Sequence, residues 1–434
     1  MRDLVEQLFM LAIHGRGRYH HAVKTLPAGD NAVLVELGDV TAAELHAAAR
    51  EMRAQPGVMA VIPGHSSLYV IRGEATRAHI AEVREPREHR LPVAFDGPDL
   101  PELLARIDRD HFFARIATLR LTARYLGFRG GFAYLDGWPD EWAMPRRATS
   151  RPVARGTFAI AGNVAGFYPI DTPGGWNLLG RTDADVEDAF VPGDTIVLVP
   201  MDVVDSQRAT RRPERPPLHR AELISSPLVT VLHERAAFDD VAASLARRAV
   251  RGNVELLECA MTGPRLRFTR DAVIAWCDPA LRVRVERVRA GEERGFGRIV
   301  GGLRGYLAIG DEEGVVAQLD RGDRHVIHAI CGPHEVGLGD VDCEVTPQLD
   351  RIGIRLRPRT PLRVDIPADL RSIGMQCGTV QLHPDGSLVA MGPDHPVTGG
   401  YLQPMTVITS ERWKLAQLMP GERVVLRGHH ERST

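Results

Sequence analysis

Between Gly127 and Pro200, glycine and proline interrupt the chain every few residues. The breaks are Gly127-Phe-Arg-Gly-Gly-Phe132, Pro145-Arg-Arg147, Gly156-Thr-Phe-Ala-Ile160, Thr172-Pro-Gly-Gly-Trp176 and Pro192-Gly-Asp194. A helix interior loses about 1 kcal/mol at a glycine and about 3 kcal/mol at a proline, so a helical domain does not tolerate this punctuation. Short apolar runs lie between the breaks, Thr157 to Ala161 and Thr195 to Val199. Short apolar runs bounded by turn residues read as the strands of a small barrel or sandwich.

The pattern recurs. Gly156-Thr157 is echoed by Gly378-Thr379, Gly174-Gly175-Trp176 by Gly399-Gly400-Tyr401, and Pro192-Gly193-Asp194 by Pro420-Gly421-Glu422, in the same order. Similar strands follow, Ile196 to Val199 and Val424 to Leu426. Ordered echoes of this kind predict two related barrels in tandem.

At 434 residues the chain is long enough for about three domains. Its formal net charge of -2 excludes the basic excess of a nucleic-acid binder. The basic, proline-rich passage Arg208 to Arg220 reads as a solvated linker. Five cysteines at 259, 277, 331, 343 and 377, odd in number and without a Cys-x-x-Cys pair, suit reduced buried thiols. The opening apolar run Leu8 to Ile13 is too short to span a bilayer and lacks a small-residue cleavage site. A cytoplasmic protein that contacts neither membrane nor nucleic acid is expected.

Taken in order, residues 1–90 predict a small α+β module. It opens with an amphipathic helix over 1–21 and has a strand at 32–37. Thr41 and Glu44 form a capping box for a helix over 42–54, strands follow at 58–62 and 67–71, and a helix at 75–83. Residues 91–205 predict the first barrel, with helical passages over 99–106 and about 112–124. Residues 206–220 are the linker. Residues 221–434 are mostly β after a helix over 239–249. The fold class is α+β, predominantly β.

Several of these stretches carry a family resemblance. Leu26-Pro-Ala-Gly-Asp30, Gly57-Val58 to Pro63, Ser67-Leu68, Gly97-Pro98-Asp99-Leu100 and Gly127 to Arg181 resemble the B subunit of 5-oxoprolinase, also called allophanate hydrolase subunit 1. Gly263-Pro264 to Phe268, Arg304 to Ala308, Pro347 to Gly353 and Gly378 to Leu426 resemble the C subunit of 5-oxoprolinase, or allophanate hydrolase subunit 2. The resemblance implies a fusion of the two subunits with tandem cyclophilin-like β-barrels, similar to the carboxyltransferase portion of urea carboxylases. It further implies a component of an ATP-dependent 5-oxoproline hydrolase, with ATP and Mg as co-substrates. The implied partners are a separate third subunit and a small-molecule substrate, with a homo-oligomer as a further expectation. The chain departs from the pattern in four places, one of them an insert of the C subunit that is shortened here to Gly332-Pro333-His334 through Glu344. Gly130 stands where the family has proline, Ile116-Ala117 stand where it tends to have His-Thr, and a glycine-rich segment of the C subunit is absent after Arg235. Two alternatives follow. One is a catalytically degenerate regulator similar to inhibitors of a sporulation histidine kinase. The other is carboxyl transfer onto urea or a related amide, which needs a biotinylated partner.

Opening a lactam or moving a carboxyl group requires an oxyanion to be stabilised and carboxylate or phosphate groups to be held. Arg146 and Arg147, after Pro145, suit bidentate recognition of such groups. Asp350 and Arg351, in the second-half motif, are candidates for acid–base or ion-pair roles. Gly130, Gly131, Gly174, Gly175, Gly399 and Gly400 allow backbone N–H groups to approach a ligand. Phe132, Trp176, Thr398 and Tyr401 lie in the same motifs as candidate pocket walls. No metal site is expected. His325, His328, Cys331 and His334 recur every three residues, and in a strand that spacing sends neighbouring members to opposite faces. No Walker-type phosphate loop or Gly-x-Ser-x-Gly elbow is present.

Overall fold

Thr41 and Glu44 close the expected capping box. The Thr41 side chain accepts from the Glu44 N–H and the Glu44 carboxylate accepts from the Thr41 N–H at 2.8 Å, which starts the helix Ala42–Arg53. The structure is a computed structural model that describes residues 24–73, 85–127, 131–187, 189–203, 218–225, 228–232, 236–317, 319, 321–367 and 370–429. The helices expected over 1–21 and 75–83, most of the linker, and Gly130 lie outside the described residues.

The helix Ala42–Arg53 packs Leu45, Ala48, Ala49 and Met52 on a four-stranded antiparallel sheet. Its strands are β1 (Lys24–Pro27), β2 (Ala32–Glu36), β3 (Val58–Pro63) and β4 (Ser67–Arg72), in the order β1-β2-β4-β3. The opposite face of this sheet, with Leu34, Tyr69 and Ile71, packs on Ile373 of the second half.

The first barrel follows. Its strands are β5 (Glu88–Ala94), β6 (Arg120–Gly127), β7 (Phe132–Asp136), β9 (Thr157–Ala161), β10 (Val164–Phe167), β12 (Asn177–Arg181) and β13 (Thr195–Met201). A side ribbon pairs β8 (Arg151–Val153) with β11 (Thr172–Gly174). The helical passage expected over 112–124 is corrected here. The helix Arg109–Ile116 stops, and β6 takes the chain from Arg120. Leu121, Ala123 and Tyr125 are buried while Thr122 and Arg124 between them are not, which is the period of a strand.

The second half is more than the one barrel region expected over 221–434. Residues 218–317 build a separate layered unit from β14 (Ala221–Ser225), β15 (Val229–Val231), the helix Asp240–Arg248, β16 (Val250–Arg251), β17 (Glu255–Ala260), β18 (Arg265–Phe268), β19 (Ala272–Cys277), β20 (Val283–Val288), β21 (Glu293–Gly295), β22 (Arg304–Gly310) and β23 (Glu312–Glu313). Its centre is the five-stranded sheet β15-β17-β22-β19-β20. The second barrel comprises β24 (Val326–Cys331), β25 (Val341–Leu349), β26 (Gly353–Pro358), β28 (Thr379–Leu382), β29 (Leu388–Met391), β31 (Leu402–Val407) and β32 (Arg423–His429). Its ribbon pairs β27 (Ile373–Gly374) with β30 (Thr398–Gly399).

The echoes in the sequence correspond to a repeated topology. Counting each barrel's own strands from one to seven, both closed rings read 1-6-4-5-3-2-7, with the first and last strands parallel. The echoed acid closes the ring in both. Asp194, fully buried, accepts from the Arg87 and Val191 N–H groups and pairs with His89 at 2.9 Å. Glu422 accepts from the Met419 N–H and pairs with Arg324. The preceding Gly193 and Gly421 sit at φ 99° and 84°, a backbone region that disfavours residues with a Cβ. The five cysteines are free thiols, three of them buried. Among the described residues no helix is long and apolar enough to cross a membrane.

Candidate functional site

The barrels meet where the second barrel's ribbon lies on the end of β6. Thr398 Oγ1 donates to the Leu126 carbonyl at 2.7 Å, and a Cβ on Gly127 would collide with that hydroxyl. On the first-barrel side the outward residues form an aromatic wall. Tyr125 stacks on Tyr134 with centroids 4.6 Å apart, and Trp176 meets Phe132 and Tyr134 edge-on at 5.2 and 5.7 Å. Tyr168 packs on Phe132 at 5.5 Å. Gly174 is required for this packing, because a Cβ there would stand 2.6 Å from Tyr168 Cζ. Gly175 lets Arg146 lie close, with its Nε 3.2 Å from where a Cβ would stand, a tight contact that a shift of the exposed arginine could relieve.

Arg146 is exposed and makes no hydrogen bond or ion pair among the described residues. Burial pushes the Tyr134 phenol well above its ordinary value, Tyr125 and Tyr401 add to this, and the Arg146 cation partly opposes it. Burial likewise raises Tyr168, against a bond to the Trp176 backbone and the pull of Arg146. Burial pushes Tyr125 up to about 12, against a bond to Ser372. All three shifts keep these phenols in the neutral form at neutral pH, where each carries an O–H. From the second barrel come Gly399, against Gln381 and Met375, and Gly400 near Ser372. Tyr401 is 40% exposed and stacks on His383 at 4.1 Å. An unpaired guanidinium beside an aromatic wall and neutral phenol donors suits a small ring that carries a carboxylate.

The expected residues divide between two environments. Arg146, Gly131, Phe132, Gly174, Gly175 and Trp176 belong to the first-barrel side of this junction, and Thr398, Gly399, Gly400 and Tyr401 to the facing ribbon. Arg147 has other partners. It pairs with Asp99 at 2.9 Å and Glu102 at 2.6 Å, and its N–H donates to the Gly175 carbonyl, so it braces the loop that presents Arg146. Asp350 accepts from the Ile352 and Gly353 N–H groups and caps a turn. Arg351 bonds Glu258, Asp394 and the Ala236 carbonyl, joining the second barrel to the unit before it. Of the four residues expected to be catalytic, only Arg146 has no partner among the described residues. His325 pairs with Asp323, His328 with Glu411, and His334 accepts from the Gln403 N–H. No three metal-ligating side chains gather among the described residues. Sequence reasoning missed Tyr125, Tyr134, Tyr168 and His383. Two of them flank the Gly127–Phe132 motif on paired strands, so aromatic residues on either side of that motif were the available signal.

Two closed barrels of one ring order, each with a ribbon at its mouth, define a protein of the carboxyltransferase-domain class. The family description "Carboxyltransferase domain, subdomain C and D" matches residues 23–191, and "Carboxyltransferase domain, subdomain A and B" matches 235–335 and 338–427. The chain is 31% identical to the 5-oxoprolinase B subunit of Escherichia coli O157:H7 over 203 residues, covering 40% of this chain and 93% of that one. It is 30% identical to the 5-oxoprolinase B subunit of Bacillus subtilis (strain 168) over 191 residues, covering 36% of this chain and 80% of that one. The crystal structure of TTHA0988 shares the fold, with TM-score 0.71 and 23% identity over 92% of this chain and 99% of that one. The chain belongs to the family of 5-oxoprolinase B subunits and carries, in the same polypeptide, a carboxyltransferase A and B half, giving the fused architecture of the B and C subunits.

Proposed function

We propose that this chain is the fused component of an ATP-dependent cyclic-amide hydrolase, opening 5-oxoproline to glutamate together with a separate subunit. The observation that carries the reading is Arg146, a guanidinium without a partner among the described residues, lying along Gly175 beside Tyr134 and Tyr168. In this reading the substrate carboxylate pairs with Arg146 and the ring lies against Trp176. A protonated tyrosine, Tyr134 or Tyr168, donates to the lactam carbonyl. Negative charge builds on that oxygen as the ring opens, and a donor already in place stabilises it most in the transition state. ATP and Mg enter as co-substrates of the assembled enzyme. The names of the two bacterial relatives support the reading.

The test is glutamate and ADP formation from 5-oxoproline, ATP and magnesium, with and without the third subunit of a related system. Turnover that needs both proteins is the expected result. No turnover from folded protein with an active partner sinks the proposal, and tight binding to a histidine kinase under the same conditions points to the regulatory alternative.

A further inference from the structure

Among the described residues two that are not glycine hold a positive φ, Met261 at 62° and Leu281 at 61°. Residues with a Cβ rarely adopt this region, and they persist there only when the surrounding structure offsets the strain. For Leu281 the offset is visible, because its side chain is 2% exposed and packs in the core of the unit formed by residues 218–317. Met261 has no such packing. Its side chain is 56% exposed, and the Thr262 N–H donates to the Ala260 carbonyl at 2.6 Å, closing a three-residue turn of the strained hand with Met261 at its tip. The chain thus carries strain to hold an apolar side chain in solvent.

The turn has apolar neighbours. The Leu228 carbonyl accepts from the Ala260 N–H at 3.0 Å and the Met261 carbonyl from the Ile299 N–H at 2.9 Å, which brings Leu228 and Val300 beside it, both exposed. The edge strand β14, whose Ser225 pairs with Arg265 beyond the turn, adds exposed Leu223 and Ile224. Exposed apolar residues scattered singly are ordinary, whereas a contiguous patch with a polar rim marks an interaction surface. The rim here is basic. Arg298 bridges Thr262, and Arg284 stands opposite Trp276, whose ring stacks on Phe296 at 5.1 Å. Both arginines are exposed, and neither side chain has a bonded partner among the described residues. The acids of the strands around them face other arginines: Glu293 pairs with Arg265 and Arg267, Glu286 with Arg294, and Glu222 lies opposite Arg267. The patch therefore has positive charge left to match.

We propose that this patch docks the separate subunit that the hydrolase reading requires, through an apolar segment of that subunit flanked by carboxylates. Met261 is the anchor, Leu228 and Val300 surround it, and Arg298 and Arg284 meet the partner's acids. Burial of the apolar centre supplies affinity, and the charged rim sets orientation and encounter rate. The inference rests on the hydrolase reading, which supplies the second protein.

The experiment titrates the full chain with the third subunit of a related system by calorimetry, at two salt concentrations. The wild type binds, and Met261→Lys and Val300→Asp each weaken binding at least about ten-fold, as loss of an anchor does. Arg298→Glu weakens it and reduces its dependence on salt. Val315→Asp, at a residue equally exposed but following β23, leaves binding unchanged. Met261→Gly separates docking from folding. Glycine adopts this φ freely, so the melting temperature should hold while binding falls as it does for Met261→Lys. A Met261→Gly variant that melts lower yet binds normally makes Met261 a structural residue and overturns the proposal. Equal binding by wild type and Met261→Lys overturns the surface and leaves the hydrolase reading standing, whereas no binding by the wild type removes both. A dimer of the chain alone that Met261→Lys dissociates, with subunit binding unchanged, assigns the patch to a second copy and overturns the proposal as well.

Discussion

The two barrels share a ring order, a mouth ribbon and a turn acid, yet their outer faces differ. The first presents stacked tyrosines, Trp176 and Arg146, which has no bonded partner among the described residues. The second presents arginines already matched to acids, and it is bolted to the preceding unit by a buried charge network. Arg351 bonds Glu258 and Asp394, Tyr306 donates to Glu258 at 2.8 Å, and Arg321 makes two 2.6 Å bonds to Asp239. Burial opposes the charge of Arg351, and Asp394 and Glu258 more than offset it, so its pKa lies above the ordinary arginine value. A duplicated scaffold thus holds its inward positions to one topology, while its outward positions are free to carry an aromatic wall on one barrel and a charge network that joins it to the preceding unit on the other.

The largest expected effect tests the assembly side. Arg351→Ala removes one of the two cations on Glu258, which is 3% exposed and keeps Arg304 at 3.3 Å, so the loss should approach but not exceed the about 3–5 kcal/mol of a fully broken buried pair. Chemical denaturation should show this loss mainly in the second half. Arg146→Ala tests the site side. It should lower kcat/KM for 5-oxoproline about 100-fold, the loss expected for a charged recognition group, with the melting temperature unchanged. Arg147→Ala should do the opposite, lowering the melting temperature because Asp99, 5% exposed, loses one of its two arginines. Equal effects of the two substitutions would remove the distinction drawn between them.

Gly174→Ala should cost about 1–3 kcal/mol by overpacking against Tyr168, whereas its second-barrel counterpart Gly399→Ala meets the movable ends of Gln381 and Met375 and should cost less. Paired thermal melts measure the difference. Thr398→Val removes the hydroxyl that joins the barrels, about 1 kcal/mol, and should raise KM more than it lowers kcat.

The smallest effect is on pH dependence. Burial lowers the pKa of His46, and of His65, His334 and His383, below the ordinary 6.5. The unfolded chain therefore takes up these protons first as pH falls. The stability these groups contribute is complete above 6.5 and is lost as pH drops towards their folded values. Melting temperature should hold from about pH 8 to 7 and decline below about 6.5, and His46→Gln should flatten part of that decline. A decline that begins well above pH 7 would assign it to other groups.

Much of this was legible without coordinates. The Thr41–Glu44 box, the strands of the first module and the ordered glycine echoes are local signals, set by caps and turns that neighbouring residues determine. The strand at Arg120 was not. Its eight residues continue a helical stretch without a proline or glycine stop, and only the barrel's hydrogen bonds to β7 and β13 decide between periods. The site was half legible. Gly174, Gly175 and Trp176 announce a turn, but that Gly174 accommodates Tyr168 and Gly175 accommodates Arg146 depends on strands distant in the chain.

By itself the sequence determined the class, the duplication and the positions of the turns, because glycine, proline and capping side chains act on their immediate neighbours. Tertiary structure alone decided which arginine has no partner among the described residues. Arg146 and Arg147 are adjacent and chemically identical. Asp99 and Glu102, more than forty residues earlier, reach one of them and not the other. A charge acquires its role from the partner the fold brings to it, and that partner is not a local property of the chain.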